Sequence, residues 1–136
     1  MKKHLRIAAL LLALILCAAG SSALAEGLEN PESWLGTWEG GEDYGDARDY
    51  YLELTDYHDG VFDANLLYYR LSNFEGMSAF VADDATAVLS TSAEDDYTVL
   101  ATLDFFEDGI EMRVLDSDDL YLKPGTVVRL ERSKDQ

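Results

Sequence analysis

The sequence predicts an all-β protein: one eight-stranded antiparallel up-and-down barrel that follows a cleaved signal peptide. Short segments alternate apolar and polar residues with a period of two, which is typical of strands with one buried face. Turn-forming residues separate these segments, and the pairs Asp59-Gly60 and Asp108-Gly109 indicate tight hairpins. After residue 25, no segment of ten residues shows the periodicity of a helix.

The first 25 residues have the organisation of a secretory signal. A cationic stretch at 1–6 precedes an apolar run at 7–19, and small residues ending at Ala25 follow. We expect cleavage after Ala25 and a single barrel domain over residues 26–136. This domain would be secreted and extracellular, or periplasmic if a bacterial host has an outer membrane.

Two other interpretations of this leader remain open. The apolar run could be a retained membrane anchor, although it is shorter than the ~20 residues that span a bilayer. Cys17 could be lipidated, although the bulky Leu16 precedes it, where a lipoprotein signal has a small residue. Because Cys17 is the only cysteine, the domain at 26–136 has no disulfide and its core must stabilise the fold alone.

The chain is strongly acidic. It has 27 Asp and Glu residues against 10 Lys and Arg residues, a formal charge of −17. All the acidic residues follow position 25 but three of the basic ones precede it, so cleavage would make the charge −20. Such a domain repels nucleic acid and anionic membranes and attracts cations, so neither nucleic acid nor membrane is an expected partner. Solubility outside the cell is a simpler explanation of the same charge.

The first four strands follow from alternation and turn residues. Strand one, Trp34–Gly40, holds both tryptophans on one face. Strands two and three, Arg48–Thr55 and Val61–Arg70, flank the first Asp-Gly turn. Strand four, Phe74–Ala82, contains Gly76, which predicts a bulge.

The last four strands complete the sheet. They are predicted at Ala85–Thr91, Asp96–Phe106, Ile110–Leu115 and Thr126–Arg132. In the long connection at 116–125, the segment Leu120–Leu122 is expected to form either a lid or a short extra strand. Closing one sheet on itself removes exposed edges, which favours a barrel, and a two-sheet sandwich is the rival arrangement.

The inward face of these strands is apolar and rich in aromatic rings. Burying an aliphatic or Phe side chain contributes about 1.5–3 kcal/mol, so this face supplies a substantial core. The predicted interior residues are Trp34, Trp38, Tyr50, Leu52, Leu54, Phe62, Leu66, Tyr68, Phe74, Phe80, Leu89, Val99, Leu103, Phe105, Ile110, Met112, Val114, Val128 and Leu130. With so many large rings, the barrel is expected to be nearly filled.

The motif Gly36-Thr37-Trp38, after one helical turn indicated by Asn30-Pro31, resembles the Gly-x-Trp signature of the calycin superfamily. This superfamily includes lipocalins, fatty-acid-binding proteins and avidins. The resemblance implies a lipocalin-like barrel in which Trp38 plugs one end. It also implies that Arg129 or Arg132 stacks on Trp38 as a cation–π partner. The chain is shorter than a typical lipocalin and lacks its disulfide.

A second segment, Phe74–Arg132, is similar to small periplasmic lysozyme-inhibitor barrels. The similarity consists of Phe-x-Gly at position 74 and Phe-x-Asp-Gly at position 106, followed by a closing strand. Those barrels usually carry a cysteine pair, which this segment lacks. The similarity implies an alternative function, an acidic inhibitor or interaction module for a cationic extracellular protein such as a lysozyme.

The sequence indicates a binding protein rather than an enzyme. One candidate ligand is a small apolar molecule inside the barrel. The inward rings that would contact it are Tyr50, Phe62, Tyr68, Phe80 and Phe105. The other candidate is an extracellular protein on an outward patch formed by Tyr51, Leu67 and Tyr69.

No catalytic or cofactor pattern stands out. His58 is the only histidine after the leader, and its position in a polar turn indicates a solvated side chain. Without a second histidine or a cysteine, no zinc or haem site is expected, and no cofactor is predicted. Asp116, Asp118 and Asp119 are weak candidates for calcium ligands, with a solvated acidic rim as the simpler interpretation.

Overall fold

The computed structural model describes residues 28–92 and 94–134. It confirms an all-β fold with a closed eight-stranded antiparallel barrel in which each strand pairs with its neighbours in sequence and the last pairs with the first. The strands are β1 (Gly36–Asp43), β2 (Arg48–His58), β3 (Val61–Tyr68), β4 (Ser72–Val81), β5 (Thr86–Ser90), β6 (Val99–Phe106), β7 (Gly109–Ser117) and β8 (Val127–Arg132). The predicted signal peptide lies outside the described residues.

The up-and-down topology places the connections at two ends of the barrel. The tryptophan end comprises a 3₁₀ turn at Pro31–Trp34 and the turns at 59–60, 82–85 and 107–108. The tyrosine end comprises the loops at 44–47, 69–71, 91–92 with 94–98, and 118–126. In the described part of the chain, no helix has the length and apolar character needed to cross a membrane.

The interior is built from the alternating residues of all eight strands. Of the predicted interior residues, all are buried except Trp34, Tyr68 and Phe80. Leu52, Phe62 and Leu66 have no exposed surface at all. The period-two pattern therefore identified the core correctly, because one face of each strand points into the closed sheet.

A bulge in β4 explains why Phe80, which was predicted to face inward, lies on the outside. Gly76, with a φ of 67°, interrupts the pairing of β4 with β3, so Phe74 and Met77 both face inward. This confirms the bulge predicted at Gly76. It also reverses the alternation after Gly76, so Ala79 points inward and Phe80 is 40% exposed. The prediction that Phe80 lines the interior was wrong for this reason.

The first strand begins two residues later than expected. Trp34 ends the 3₁₀ turn that Asn30-Pro31 predicted, and β1 starts at Gly36. Gly36 has a φ of 126°, a conformation that favours glycine and redirects the chain from the turn into the strand. Trp34 therefore does not alternate with Trp38 on one strand, but approaches it from a separate turn.

Two late segments also differ from expectation. Strand β6 begins at Val99 rather than Asp96, and Tyr97, which fell within the predicted strand, is 55% exposed in a bend. In the connection after β7, Leu120–Leu122 forms bends and not a strand. Leu122 is fully buried, so this segment covers the core at the tyrosine end as a lid would.

Glycines let the last strand approach its two neighbours closely. A Cβ atom on Gly40 of β1 would lie 2.1 Å from the backbone oxygen of Arg129. A Cβ atom on Gly109 of β7 would lie 2.4 Å from the backbone oxygen of Leu130. No side chain fits at these separations, so closure around β8 depends on glycine at both positions.

Candidate functional site

Trp38 closes the tryptophan end beneath an arginine. The ring is 4% exposed, and the guanidinium carbon of Arg132 lies 4.2 Å from its centroid. Arg132 also donates hydrogen bonds to the backbone oxygens of Leu35 (2.9 Å) and Ser33 (2.6 Å). The Trp38 indole N–H donates to the Trp34 oxygen at 2.9 Å. This is the arrangement that the calycin resemblance implies for Trp38 and a late arginine.

Arg129, the other candidate for this role, lies outside the barrel. Its guanidinium carbon is 4.3 Å from the centroid of the Phe106 ring, and it forms an ion pair with Asp108. Of the two arginines that the resemblance left open, Arg132 and not Arg129 therefore stacks on Trp38. Along β8, Val128 and Leu130 face inward, so Arg129 between them faces outward.

The interior rings at this end pack on one another. Trp34 stacks on Trp38 at 5.3 Å and meets Phe105 edge-on at 4.8 Å. Phe105 lies 6.1 Å from Phe62, which lies 4.9 Å from Tyr57. Two of the rings predicted to contact a small apolar ligand, Phe62 and Phe105, thus contact other rings. This packing favours a filled interior over an open ligand site.

The other two inward candidates form a stacked pair near the tyrosine end. The rings of Tyr50 and Tyr68 are 4.6 Å apart and nearly parallel, because β2 and β3 place the two residues opposite each other. Burial, followed by the interaction with Tyr68, raises the pKa of Tyr50 above its ordinary range. Tyr50 is buried and stacked on Tyr68, so it acts as a packing residue.

A surface cleft of about 410 Å³ opens beside this pair. Its lining includes Tyr44, Asp46, Asp49, Tyr68, Tyr69 and Arg70. The ring of Tyr44 stacks on that of Tyr69 at 6.4 Å, and the Arg70 guanidinium carbon lies 4.9 Å from the Tyr69 centroid. Aromatic faces and carboxylates are thus presented together at the tyrosine end.

Asp49 holds the aromatic groups of this cleft in place. Its carboxylate accepts hydrogen bonds from the Tyr44 hydroxyl (2.6 Å) and from the backbone N–H of Glu42 (2.9 Å). Its backbone oxygen accepts from the N–H of Tyr69 at 2.7 Å. The hydrogen bond to Asp49 is the main reason that the pKa of Tyr44 is raised to about 12.

The outward patch predicted from the sequence adjoins this cleft. Tyr51 and Leu67 are directly opposite each other on β2 and β3, and Tyr69 follows two residues after Leu67. All three side chains are partly exposed. The Tyr51 hydroxyl accepts a hydrogen bond from the backbone N–H of Arg48 at 2.8 Å, which fixes its ring beside the loop at 44–47.

Together these residues form one surface, which we call the tyrosine surface and define as Tyr44, Tyr51, Leu67 and Tyr69 with Asp46 and Asp49. The sequence identified its strand residues but missed Tyr44 and Asp49. Tyr44 lies in a loop, where alternation gives no orientation. Asp49 precedes Tyr50 on a predicted strand, and its proximity to Tyr44 depends on how the loop folds back.

The late acidic residues connect loops at the tyrosine end. Asp119 accepts hydrogen bonds from the Ser72 hydroxyl (2.9 Å) and from the backbone N–H groups of Tyr121 (3.0 Å) and Leu122 (2.9 Å). Asp118 accepts from the backbone N–H of Thr98 at 2.7 Å. These contacts give both carboxylates a structural role, and a calcium site that also includes Asp116 stays a prediction.

One mixed cluster was not apparent from the sequence. Asp56, His58 and Asp63 each present a ligand atom within 4.8 Å of the other two, on the outside of the β2–β3 hairpin. The His58 Nε2 atom lies 3.3 Å from Asp63. Asp56 faces Asp63 across the ladder because a register shift after Leu54 brings them opposite. Exposed groups of this kind commonly bind no ion, so the cluster alone assigns no metal.

Comparisons with protein-family models, with curated proteins and with solved structures find no match for this chain. Function is therefore inferred from the geometry of the barrel and of its two ends. The feature that most resembles a binding site is the tyrosine surface, where aromatic rings, an exposed cleft and carboxylates converge.

Proposed function

We propose that this protein is a secreted, lipocalin-like binding module without enzymatic activity, which engages a cationic extracellular protein through the tyrosine surface. The observation that carries this proposal is the convergence of partly exposed tyrosines and two carboxylates around one cleft at the barrel end, where Arg70, stacked on Tyr69, is the one cation among the described lining residues. Tyrosine is enriched at the energetically dominant positions of protein interfaces, because its ring buries a large area and its hydroxyl forms hydrogen bonds.

Preorganisation of the rings supports a binding role. Tyr44 is held by Asp49, Tyr69 by a backbone bond to the same residue, and Tyr51 by the N–H of Arg48. A ring that is already fixed loses little conformational entropy when a partner binds. The surface therefore has the rigidity expected of a contact site rather than of solvent-exposed loops.

The charge distribution supports a cationic partner. Several arginines are already paired with the chain's own acidic groups: Arg48 with Glu131 at 2.9 Å, Arg113 with Glu111 at 3.6 Å, and Arg129 with Asp108. The chain has 27 Asp and Glu residues against 10 Lys and Arg residues, so its overall charge is strongly negative. A complementary positive partner would associate faster and with better specificity.

A small apolar ligand in the barrel is less well supported. The rings that would contact it are stacked on each other or, in the case of Phe80, face solvent. A ligand pocket normally needs several hundred Å³ lined by apolar groups. The described clefts of comparable size, by contrast, open on the outside of the barrel.

The test uses two cationic probes, a lysozyme and an arginine-rich peptide, measured by titration calorimetry at low and at high salt. We expect Tyr69→Ala and Tyr51→Ala each to weaken binding about tenfold or more, since each removes an anchor ring. Added salt should weaken the wild-type interaction as well, because attraction between exposed charges is screened.

Tyr97→Ala is the matched control. It removes a tyrosine that is exposed in the loop before β6 and that is not part of the tyrosine surface or of its cleft, so it should leave the affinity unchanged. Wild-type protein that binds neither probe at low salt would contradict the cationic-partner proposal. Equal losses in all three variants would show that the tyrosine surface is not the contact site.

A further inference from the structure

A second cleft, of about 420 Å³, opens at the tryptophan end of the barrel. It lies at the opposite end from the tyrosine surface and shares no residue with it. Its lining includes three aromatic rings, Trp34, Phe105 and Phe106, and three carboxylates, Glu29, Asp84 and Glu107. Aromatic rings and a carboxylate rim thus lie together at this end of the barrel.

The rings meet at a steep angle. Trp34 and Phe105 have centroids 4.8 Å apart and an interplanar angle of 67°, so they meet edge to face as two inclined walls, of which the Trp34 ring is partly exposed and Phe105 only 8% exposed. Phe106, the next residue along β6, is 42% exposed beside them. Inclined aromatic walls are suited to a rounded cation such as a trimethylammonium group, which contacts several rings at once.

Trp34 is fixed before any ligand arrives. It stacks on Trp38, and its backbone oxygen accepts a hydrogen bond from the Trp38 indole. Arg132 binds the backbone oxygens on either side of it, at Ser33 and Leu35. The 3₁₀ turn is thereby attached to β1 and β8, so the aromatic wall is preorganised rather than mobile.

The carboxylates come from three separate segments. Glu29 precedes the 3₁₀ turn, Asp84 lies in the turn between β4 and β5, and Glu107 lies in the turn between β6 and β7. Among the described residues that line this cleft, none is a lysine or an arginine. The nearby Arg129 stacks on Phe106 and is paired with Asp108, so its charge is locally balanced.

We propose that this cleft binds a small organic cation with a quaternary ammonium head, of which choline is the simplest probe. The aromatic walls supply cation–π attraction, and the three carboxylates supply the opposite charge. A neutral ligand of the same shape would make the apolar contacts alone, without the cation–π attraction or the attraction to the carboxylates. The site is independent of the partner proposed for the tyrosine surface.

The chain itself provides a reporter for this site. Its two tryptophans, Trp34 and Trp38, both lie at this end, so tryptophan fluorescence, excited where tyrosine does not absorb, reports on the cleft and not on the tyrosine surface. We expect choline to change this fluorescence saturably. Its neutral isostere, 3,3-dimethyl-1-butanol, should bind at least about tenfold more weakly, because it lacks the positive charge.

Glu107→Gln is the informative variant. Glu107 is exposed in a turn, so the substitution removes a charge without disturbing the core, and it should weaken choline binding several-fold. Trp34→Ala should abolish binding in calorimetry, and Trp34→Phe should restore part of it. Near-ultraviolet circular dichroism checks that each variant is folded, and Tyr69→Ala, at the other end, should bind choline normally.

A further measurement distinguishes two natural sources of the ammonium group, a lipid headgroup and a free small molecule. Co-sedimentation with phosphatidylcholine vesicles that is lost in Glu107→Gln would identify a lipid headgroup, whereas binding of choline alone would identify a free small molecule. The proposal is overturned if neither choline nor the vesicles bind. Equal affinity for the neutral isostere, or unchanged affinity in Glu107→Gln, would overturn it as well.

Discussion

Arg132 joins three parts of the tryptophan end, and its role depends on side-chain direction as much as on charge. Its guanidinium covers Trp38 and holds two backbone oxygens of the preceding turn. The planar fork of arginine can make these contacts at once, whereas the single ammonium of lysine cannot. Because Val128 and Leu130 face inward, alternation along β8 distinguishes Arg132 from Arg129.

We therefore expect Arg132→Ala to lower the free energy of unfolding by about 2–3 kcal/mol, since it removes a cation–π contact and two charge-assisted hydrogen bonds. Arg132→Lys should recover less than half of the loss. Urea denaturation monitored by tryptophan fluorescence measures both effects.

Arg113→Ala is the comparison for that experiment. Arg113 forms only an exposed ion pair with Glu111, and removing it should cost about 0.5 kcal/mol or less. If Arg132→Ala were as mild as Arg113→Ala, the stack on Trp38 would contribute nothing beyond an ordinary surface contact.

A resemblance can point to Trp38 and a late arginine, but not to the residues that position the tyrosine surface. Tyr44 lies in a loop, where no periodicity relates its ring to that of Tyr69. Its bond to Asp49 depends on the path of the chain between β1 and β2. Contacts of this kind follow from the folded loop and have no signature in spacing.

Strand β4 shows how one extra residue changes what a strand presents to the core. Most predicted strands needed only alternation, and their inward residues were correct. The bulge at Gly76 was predicted, but Phe80 was still assigned to the inward face, although a bulge reverses the alternation beyond it. Ala79 took the inward position instead, because a bulge exchanges the faces of every later residue.

This reversal gives a stability prediction for two phenylalanines. Phe80→Ser should change the free energy of unfolding by about 0.5 kcal/mol, because the ring is already largely on the outside. Phe62→Ala should cost about 3–5 kcal/mol, because it leaves a cavity in a fully buried site. Denaturant unfolding of both variants measures the difference, and equal costs would mean that Phe80 contributes to the core.

Considered as a whole, the molecule combines a dense apolar interior with a strongly acidic exterior. Like charges spread over a small surface repel one another and disfavour the compact state. The closed barrel was predictable because eight alternating segments have few ways to cover every edge. The identity of the partner was not predictable, because charge and exposed rings indicate a class of chemistry rather than a particular molecule.

The repulsion predicts a response to salt. Raising sodium chloride from about 20 mM to about 500 mM at neutral pH should raise the melting temperature by several degrees, because the Debye length falls from about 20 Å to about 4 Å. Circular dichroism at a β-sheet wavelength follows the transition. Near the sequence pI of about 4.1, where net charge vanishes, the same addition should have little effect; a fall in melting temperature at neutral pH would contradict the prediction.

The seam between β1 and β8 has a consequence for how the chain acquires its shape during biosynthesis. Arg132 meets Ser33 across 99 positions of sequence, so the ring of strands cannot shut until β8 has left the ribosome. Contacts between such distant partners form slowly. A nascent chain that lacks β8 therefore leaves the edges of β1 and β7 unpaired, and the barrel closes only when this strand becomes available.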